Sequence, residues 1–481
     1  DRQWYGKLYK YGLDTDGSIV EPFLWDAGAQ LNAKAASARK IWSVGTSYPA
    51  GINNFTIANV ATIKNDIYAG VTTPAHGTGT EPNNIINFMR GIDVFDYDGD
   101  SDTTEALPWK LGDIYHSKPA IVGKPPGSVN SDRIYSEGYY NQQNGYETFQ
   151  TLNKDRKTII LAGSNAGMLH AFDFATGDEL WSFIPPSMLP KLRGMISSNP
   201  NQTIPIYGVD GSPIVKDIYY NNSWRTVVIC GLGLGGMSYF ALDITDTENP
   251  THLFTFSNDP IGEKVIYWNA AGVKVTHEYD AAKPPINADY DYRQLGYSLS
   301  TPRIIRIKVG NADKWVAIFG AGFNNNVTTD YGSAVFVIDM EDGGKVLNSI
   351  AVTDVNDPGS NPVTNNVINS VPADLVPITA DSTSLIEFHG ALVYFADYEG
   401  KLWKLNLSDQ GTLYDLQYLF DAEATAANER RVMFEVGASI DANTNKLWLY
   451  YGTGNQQDLQ SEAPTLQNKV YGIKDKNFPA Y

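Results

Sequence analysis

Within the acidic stretch Asp93–Glu105, four aspartates stand at alternate positions, Asp96, Asp98, Asp100 and Asp102, and Glu105 follows three residues on. Carboxylates packed this closely repel one another unless a cation neutralises them, which is why calcium loops use this spacing. The match is imperfect. Glycine falls at the fourth position of the loop rather than the sixth, and Leu107 takes the place of a twelfth-position glutamate, leaving Glu105 as substitute. The expected metal ligands are therefore Asp96, Asp98, Asp100, Asp102 and Glu105, with calcium as the ion; the competing reading is a solvated acidic turn. Asp14-Thr15-Asp16-Gly17-Ser18 reads as an ordinary Asp-Gly hairpin turn.

Other chemistry-bearing patterns fail their context. Arg90-Gly91-Ile92-Asp93 resembles the integrin-binding tripeptide but carries an inserted isoleucine, so receptor binding is not expected there. Gly231-Leu232-Gly233-Leu234-Gly235-Gly236 resembles a dinucleotide fingerprint, yet a further strand follows it instead of a helix. Close backbone packing accounts better for its glycines. The six histidines (76, 116, 170, 252, 277 and 389) lack metal spacing, and no nucleophile elbow occurs. His116 and His170 read as hydrogen-bonded structural residues. Cys230 is the single cysteine, which rules out an internal disulfide, a cysteine zinc site or a redox pair. No catalytic or organic-cofactor residue is expected, and the chain is read as a non-enzyme.

The elements that must position the acidic loop are strands. Hydrophobic residues make up 42% of the 481 residues and charged ones only 19%, with 43 Gly, 29 Tyr and 25 Pro, a mix suited to short strands and tight turns. A net charge of −18 argues against nucleic acid as a partner. The longest apolar stretches are too short to span a bilayer. The chain opens in mid-pattern at Asp1-Arg2-Gln3-Trp4-Tyr5, as expected of a mature or trimmed piece of something longer.

A repeat runs through the second half. Ile159–Asp173, Val228–Asp243, Ala317–Asp339 and Val393–Asn406 share one plan: an apolar strand, a small residue, a turn, and a strand ending in Asp or Asn. Gly163, Gly233 and Ala396 each precede that residue by ten positions. A weaker fifth copy spans Leu447–Asp475, aligned on Lys474. Proline opens an earlier strand at Pro119, Pro213 and Pro302, a position where its missing N–H breaks no ladder. Units of this length cannot bury their apolar faces alone, and radial stacking solves that. The fold expected is all-β, a modified β-propeller of seven blades, with six or eight as the alternatives, and long loop insertions, as one domain over 1–481. Residues 1–110 would supply N-terminal strands, including some near Ile41–Thr56, and closure: Lys7–Asp14 would pair with C-terminal strands. Residues 111–481 would form the blade repeats.

The string Leu111-Gly112-Asp113-Ile114-Tyr115-His116-Ser117, followed by a proline strand and then Asn165-Ala166-Gly167-Met168-Leu169-His170-Ala171-Phe172-Asp173, resembles the C-terminal domain of the PilC/PilY family of type IV pilus tip-associated proteins. The resemblance extends through Trp181–Pro186, Leu295–Pro302, Ala396–Leu407 and the opening Tyr5–Tyr11, and so covers most of the chain. It implies a seven-blade propeller exported to the surface of a Gram-negative bacterium, at the pilus tip. It also implies roles in pilus assembly, retraction control and adhesion, with minor pilins and a host or surface receptor as partners. The chain departs from the family at Thr379–His389, where an Asp-rich calcium loop often stands. Asp381 and Glu387 alone cannot supply six to eight oxygens, so no calcium is expected there.

Two rival functions remain. Ala171 to Trp181 matches A-x-D-x-x-T-G-x-x-x-W, which resembles the tryptophan-docking repeat of quinoprotein dehydrogenases, enzymes that use pyrroloquinoline quinone. Only one full copy is present, and one cysteine forbids a vicinal disulfide. Its expected role is to dock Trp181 between blades. The other rival is a generic secreted binding propeller. Receptor-binding loops are looked for in Gly127–Thr151 and Asp259–Tyr292.

Overall fold

The recurring segments are strands of antiparallel sheets. The computed structural model describes residues 4–68, 81–196, 204–279, 288–324, 331–352, 370–424, 428, 430–454 and 468–481. The chain opens with the hairpin β1 (Tyr9–Leu13) and β2 (Ile19–Asp26), then helices α1 (Ala27–Ala33), α2 (Val60–Ile67) and α3 (Glu81–Arg90). The first sheet joins β3 (Ile41–Trp42), β4 (Ala120–Val122), β5 (Ile159–Ser164), β6 (Met168–Asp173) and β7 (Glu179–Phe183) in the order β3-β7-β6-β5-β4. Helices α4 (Glu137–Gln143) and α5 (Tyr146–Leu152) lie between β4 and β5 in the chain.

The second sheet runs in chain order through β8 (Ile214–Tyr220), β9 (Ser223–Gly231), β10 (Ser238–Asp243), β11 (Thr251–Asp259), β12 (Lys264–Trp268) and β13 (Lys274–Glu278). The third holds β14 (Arg303–Val309), β15 (Ala312–Gly320), β16 (Ala334–Asp339) and β17 (Lys345–Ala351). The fourth holds β18 (Val376–Thr379), β19 (Gly390–Ala396), β20 (Lys401–Ser408) and β21 (Leu416–Asp421). The fifth has three strands, β22 (Gly437–Asp441), β23 (Lys446–Gly452) and β24 (Val470–Asp475).

The central strands are apolar without alternation because both faces are covered. In β9, Val228 and Cys230 pack toward the first sheet, while Val227 and Ile229 pack toward the third. The same division recurs in β15: Ala317 and Phe319 belong to the core shared with the second sheet, Val316 and Ile318 to that shared with the fourth. Leu392 and Tyr394 of β19 meet Leu447 and Leu449 of β23. Each sheet thus stacks face to face on the next, as blades do.

The repeated acidic residue has a definite job. Asp173, Asp243, Asp339 and Asn406 sit on strands of the same rank, opposite Ile159, Val227, Val316 and Leu392. In each, Oδ1 accepts the backbone N–H two residues on, from Ala175, Thr245, Glu341 and Ser408, at 2.7–3.0 Å. This Asx turn ends the strand and starts the link to the next. Asp475 does the same for Asn477 at 2.9 Å, so the fifth copy aligns on Asp475, one residue beyond Lys474.

The small residue four positions past each partner is Gly163, Gly231, Gly320 or Ala396. Gly231 replaces the expected Gly233 because the β9–β10 connection is two residues longer than β5–β6. A Cβ at Gly163 or Gly320 would lie 2.3 or 2.2 Å from the carbonyl oxygen of Val209 or Val371, where the chain entering the next sheet crosses.

Two expectations are corrected. The N-terminal strand does not pair with the C-terminal ones: β1 pairs with β2, and the hairpin covers the outer face of the first sheet. There Trp25, Ala27 and Leu31 pack on Ile160 and Phe172, and Lys10 Nζ and Trp25 Nε1 both donate to the Phe174 carbonyl, at 2.9 and 3.3 Å. Of the strands expected near Ile41–Thr56, only β3 forms, parallel on the edge of β7. Among the described residues the blade plan is filled five times. No helix among them is long and apolar enough to cross a membrane.

Candidate metal centre

The acidic loop grows from the end of α3. Arg90 anchors that end: its guanidinium donates to the carbonyls of Phe55, Ala36 and Arg39 and to Asn53 Oδ1, at 2.7–3.1 Å. With Arg90 only 6% exposed, Arg90–Asp93 is a structural corner and displays no receptor motif. Ile92 bridges to Ala106, and Asp93 N–H donates to the Glu105 carbonyl at 2.9 Å, which closes the loop at its neck. Tyr97 and Leu107 sink into the core beside Phe88 and Met89.

Between neck and tip the chain coils. Asp96, Gly99 and Ser101 have φ of 54°, 83° and 72°; the left-handed region suits Gly99 and is tolerated by Asp96. Asp96 Oδ1 accepts from Ser101 N–H at 3.0 Å, Asp100 Oδ1 from Asp102 N–H at 2.7 Å, and Asp93 Oδ1 from Tyr97 N–H at 2.7 Å.

Two groups of three carboxylates result. Asp93, Asp98 and Glu105 each place an oxygen within 4.8 Å of the others, and so do Asp96, Asp98 and Asp100. Four of the five expected ligands are brought together. Asp102 belongs to neither group: its Oδ1 accepts from Thr104 N–H and Oγ1 at 2.8 and 2.7 Å, bonds that hold its carboxyl below the usual range. Asp93 was not among the expected ligands, because it lies outside the alternation. Its position at the neck, opposite Glu105, was the available signal.

Burial raises the Asp93 carboxyl, and Asp98 and Asp96 add to the effect against the opposing Tyr97 N–H. Burial and the charges of Asp100, Asp98, Asp102 and Asp93 raise Glu105. Such an all-oxygen group, with no histidine or cysteine, suits a hard divalent cation.

The Thr379–His389 segment is built differently. Arg133 reaches into it and donates to the carbonyls of Ala380, Thr383 and Ile386 at 2.6, 3.1 and 3.0 Å. Both oxygens of Asp381 accept the Glu137 N–H at the start of α4, each at 3.0 Å. A guanidinium from 250 residues away thus satisfies carbonyls that a cation could otherwise take.

His170 is sealed in the core between Ser164 and Glu179, 2.9 Å from each, and Arg39 grips Glu179 with two bonds of 2.8 Å. The order Ser–His–Glu mimics a catalytic triad, but all three are buried to 1% exposure or less, so no substrate reaches Ser164. His116 pairs with Asp210 of the next sheet, Nδ1 to Oδ2, at 2.6 Å. Cys230 is fully buried, and burial pushes its thiol up. Trp181 docks as expected: its Nε1 donates to the Thr247 carbonyl between β10 and β11 at 2.9 Å. The Asp14–Ser18 turn also forms, with Gly17 N–H donating to the Asp14 carbonyl at 2.9 Å.

The Gly127–Thr151 segment is not an open loop. Ser136 caps α4, Tyr146 is buried and donates to Asp217, and Tyr140 packs edge-on against Trp224 and Trp315. In the Asp259–Tyr292 insertion, β12 and β13 widen the second sheet, and residues 280–287 lie outside the described ones.

The family model described as the PilY1 beta-propeller domain matches residues 111–444, more than half of the chain. The chain belongs to this family. The type IV pilus biogenesis factor PilY1 of Pseudomonas aeruginosa strain PAK is 27% identical over 85% of this chain and 30% of its own length. A PilY1 homolog from Xylella fastidiosa strain Temecula1 is 27% identical over 99% of the chain and 32% of its own length. The chain therefore spans about a third of the relatives it matches. The crystal structure of the P. aeruginosa PilY1 C-terminal domain aligns with a TM-score of 0.50 at 23% identity, covering 75% of this chain and 65% of that one. That likeness supports the propeller architecture. The match takes in the strands from β4 to β22 and the Asx turns at Asp173, Asp243, Asp339 and Asn406; β23, β24 and the acidic loop lie outside residues 111–444.

Proposed function

We propose that this propeller is the pilus-associated module of a type IV pilus biogenesis factor, located outside the cell at the pilus tip. There it binds minor pilins and a surface receptor and performs no catalysis. The observation that carries this reading is the PilY1 propeller match over residues 111–444, together with relatives named as pilus biogenesis factors. Among the described residues, the triad-like group Ser164–His170–Glu179 is sealed and the glycine-rich run is spent on close strand packing. Calcium modulation of binding belongs to the same reading and would act through the acidic loop.

The quinoprotein reading is tested separately. Its docking motif is used here to pin Trp181 to the next sheet, a role that needs no cofactor, and fold does not fix function. Purified protein given pyrroloquinoline quinone, calcium, and alcohols or sugars is expected to reduce dye no faster than a blank. Stoichiometric quinone binding with substrate-dependent turnover would overturn the non-enzymatic reading. Association with pilin-like proteins is the direct test of the role itself.

A further inference from the structure

We propose that the loop from Asp93 to Glu105 is a calcium site whose inner ligands are Asp93, Asp98 and Glu105, with Asp96 and Asp100 as an outer pair sharing Asp98, and with Asp102 excluded. Clustered acids alone do not make a site, since exposed acidic turns are common. The separate observation is at the neck of the loop. Asp93 is fully buried, and its Oδ2 has no hydrogen-bond partner. Glu105 Oε1 is likewise enclosed without a partner. A buried, unpaired carboxylate oxygen is costly, and the two residues that carry them share one group with Asp98, with a carboxylate oxygen of each within 4.8 Å of the others.

Among the described residues, the basic side chains beside the loop are engaged elsewhere. The stretch 93–105 contains six acids and neither lysine nor arginine. Arg90 spends its guanidinium on Asn53 and three backbone carbonyls, and Lys110 donates to the carbonyls of Asn32 and Lys34, both at 2.7 Å. A divalent cation would satisfy the two orphaned oxygens and the mutual repulsion together. Calcium fits better than magnesium, because it accepts irregular sets of six to eight oxygens, whereas magnesium demands a near-ideal octahedron; carboxylate second oxygens and water would complete the shell. The ion would staple the corner after α3 to the segment that carries Leu107 into the core.

The site does not depend on the pilus reading, and the two fail separately. The experiment is calcium titration of the full chain by calorimetry, paired with thermal unfolding in calcium and in chelator. Wild type is expected to bind calcium and to gain a few degrees in Tm, because a ligand held only by the folded state stabilises by mass action; magnesium at the same concentration should do little. Asp98→Ala, at an exposed position shared by both groups, should weaken binding at least tenfold and abolish the shift. Asp102→Ala should bind as wild type does. Asp93→Asn should lose the calcium response yet unfold in chelator no earlier than wild type, since it removes a buried charge. Proteolysis within 93–105 should slow with calcium, while cleavage in Thr379–His389, latched by Arg133, should be indifferent to it. Absence of calcium binding by wild type, unchanged binding by Asp98→Ala, or loss of binding in Asp102→Ala would each overturn the assignment.

Discussion

Glu179→Gln is expected to lower the free energy of unfolding by about 3–5 kcal/mol, the cost of removing one partner from a buried ion pair. Glu179 and Arg39 are both sealed, and their pair ties the segment before β3 to β7. The same carboxylate orients His170, and Arg39 Nη1 donates to the Met89 carbonyl at 3.0 Å. The substitution therefore leaves a buried guanidinium charge without its counter-charge and loosens α3, the first sheet and the N-terminal segment together. Equilibrium urea denaturation followed by tryptophan fluorescence reads this as a lower midpoint. A loss under about 1 kcal/mol would mean that water already reaches the pair, because only exposed pairs are worth that little.

The same network sets the response to acid. Burial opposes ionisation of Glu179, but the Arg39 charge, its hydrogen bonds and that from His170 outweigh it and hold the carboxyl far below its usual range. A depressed carboxyl contributes stability that is complete above its unfolded pKa and is lost as pH falls below about 4.3. His170 and His252 are pushed down by burial, His252 to about 4. Each therefore favours the unfolded state once pH falls below its unfolded value of about 6.5. The midpoint of thermal unfolding should accordingly decline from pH 7 toward pH 4 and steepen below that.

The second large effect is Trp181→Ala, expected to cost about 3–5 kcal/mol by emptying a fully buried site. Trp181 lies in the core shared by the first two sheets, and its indole bonds Thr247 across that boundary. Trp181→Phe keeps most of the apolar contact and loses the hydrogen bond, so it should cost about 1–3 kcal/mol. Hydrogen exchange should rise at residues 245–252 in both variants, more so in the alanine form. Faster exchange confined to β7 would place the tryptophan inside one blade instead of between two.

What could be read from the residues was local and repeated. The Asp or Asn that ends each third strand, the small residue where the next chain crosses, and the proline strand all recur because each blade faces the same backbone problem. Gly231 and Asp475 show the limit: a two-residue change in one turn and a one-residue slip in the weakest copy moved the alignment while leaving the plan intact. Closure was not legible, because β1 carries the pattern of an inner strand. Its partner is chosen by contacts between Trp25, Ile160 and Phe172, far apart in sequence. The tyrosines of α4 and α5 looked available for a ligand, yet Trp224 and Asp217 claim Tyr140 and Tyr146 for the core. In the acidic loop the alternating residues were visible. Asp93 opens the same stretch, but its part as a ligand was not legible, because that comes from the Ile92–Ala106 bridge that brings residues 93 and 105 together. Arg133 gave no sign at all of acting on residues 380–386.

The proposed role at the pilus tip is tested most directly by recovering the full-length protein with an affinity tag from pili sheared off piliated cells, and identifying what comes with it. Minor pilins should co-purify in stoichiometric amounts. The isolated 481-residue chain, added to purified minor pilins, should bind them saturably without quinone or any substrate. Recovery of the tagged protein free of every pilin-like protein, together with no saturable binding by the isolated chain, would contradict the account.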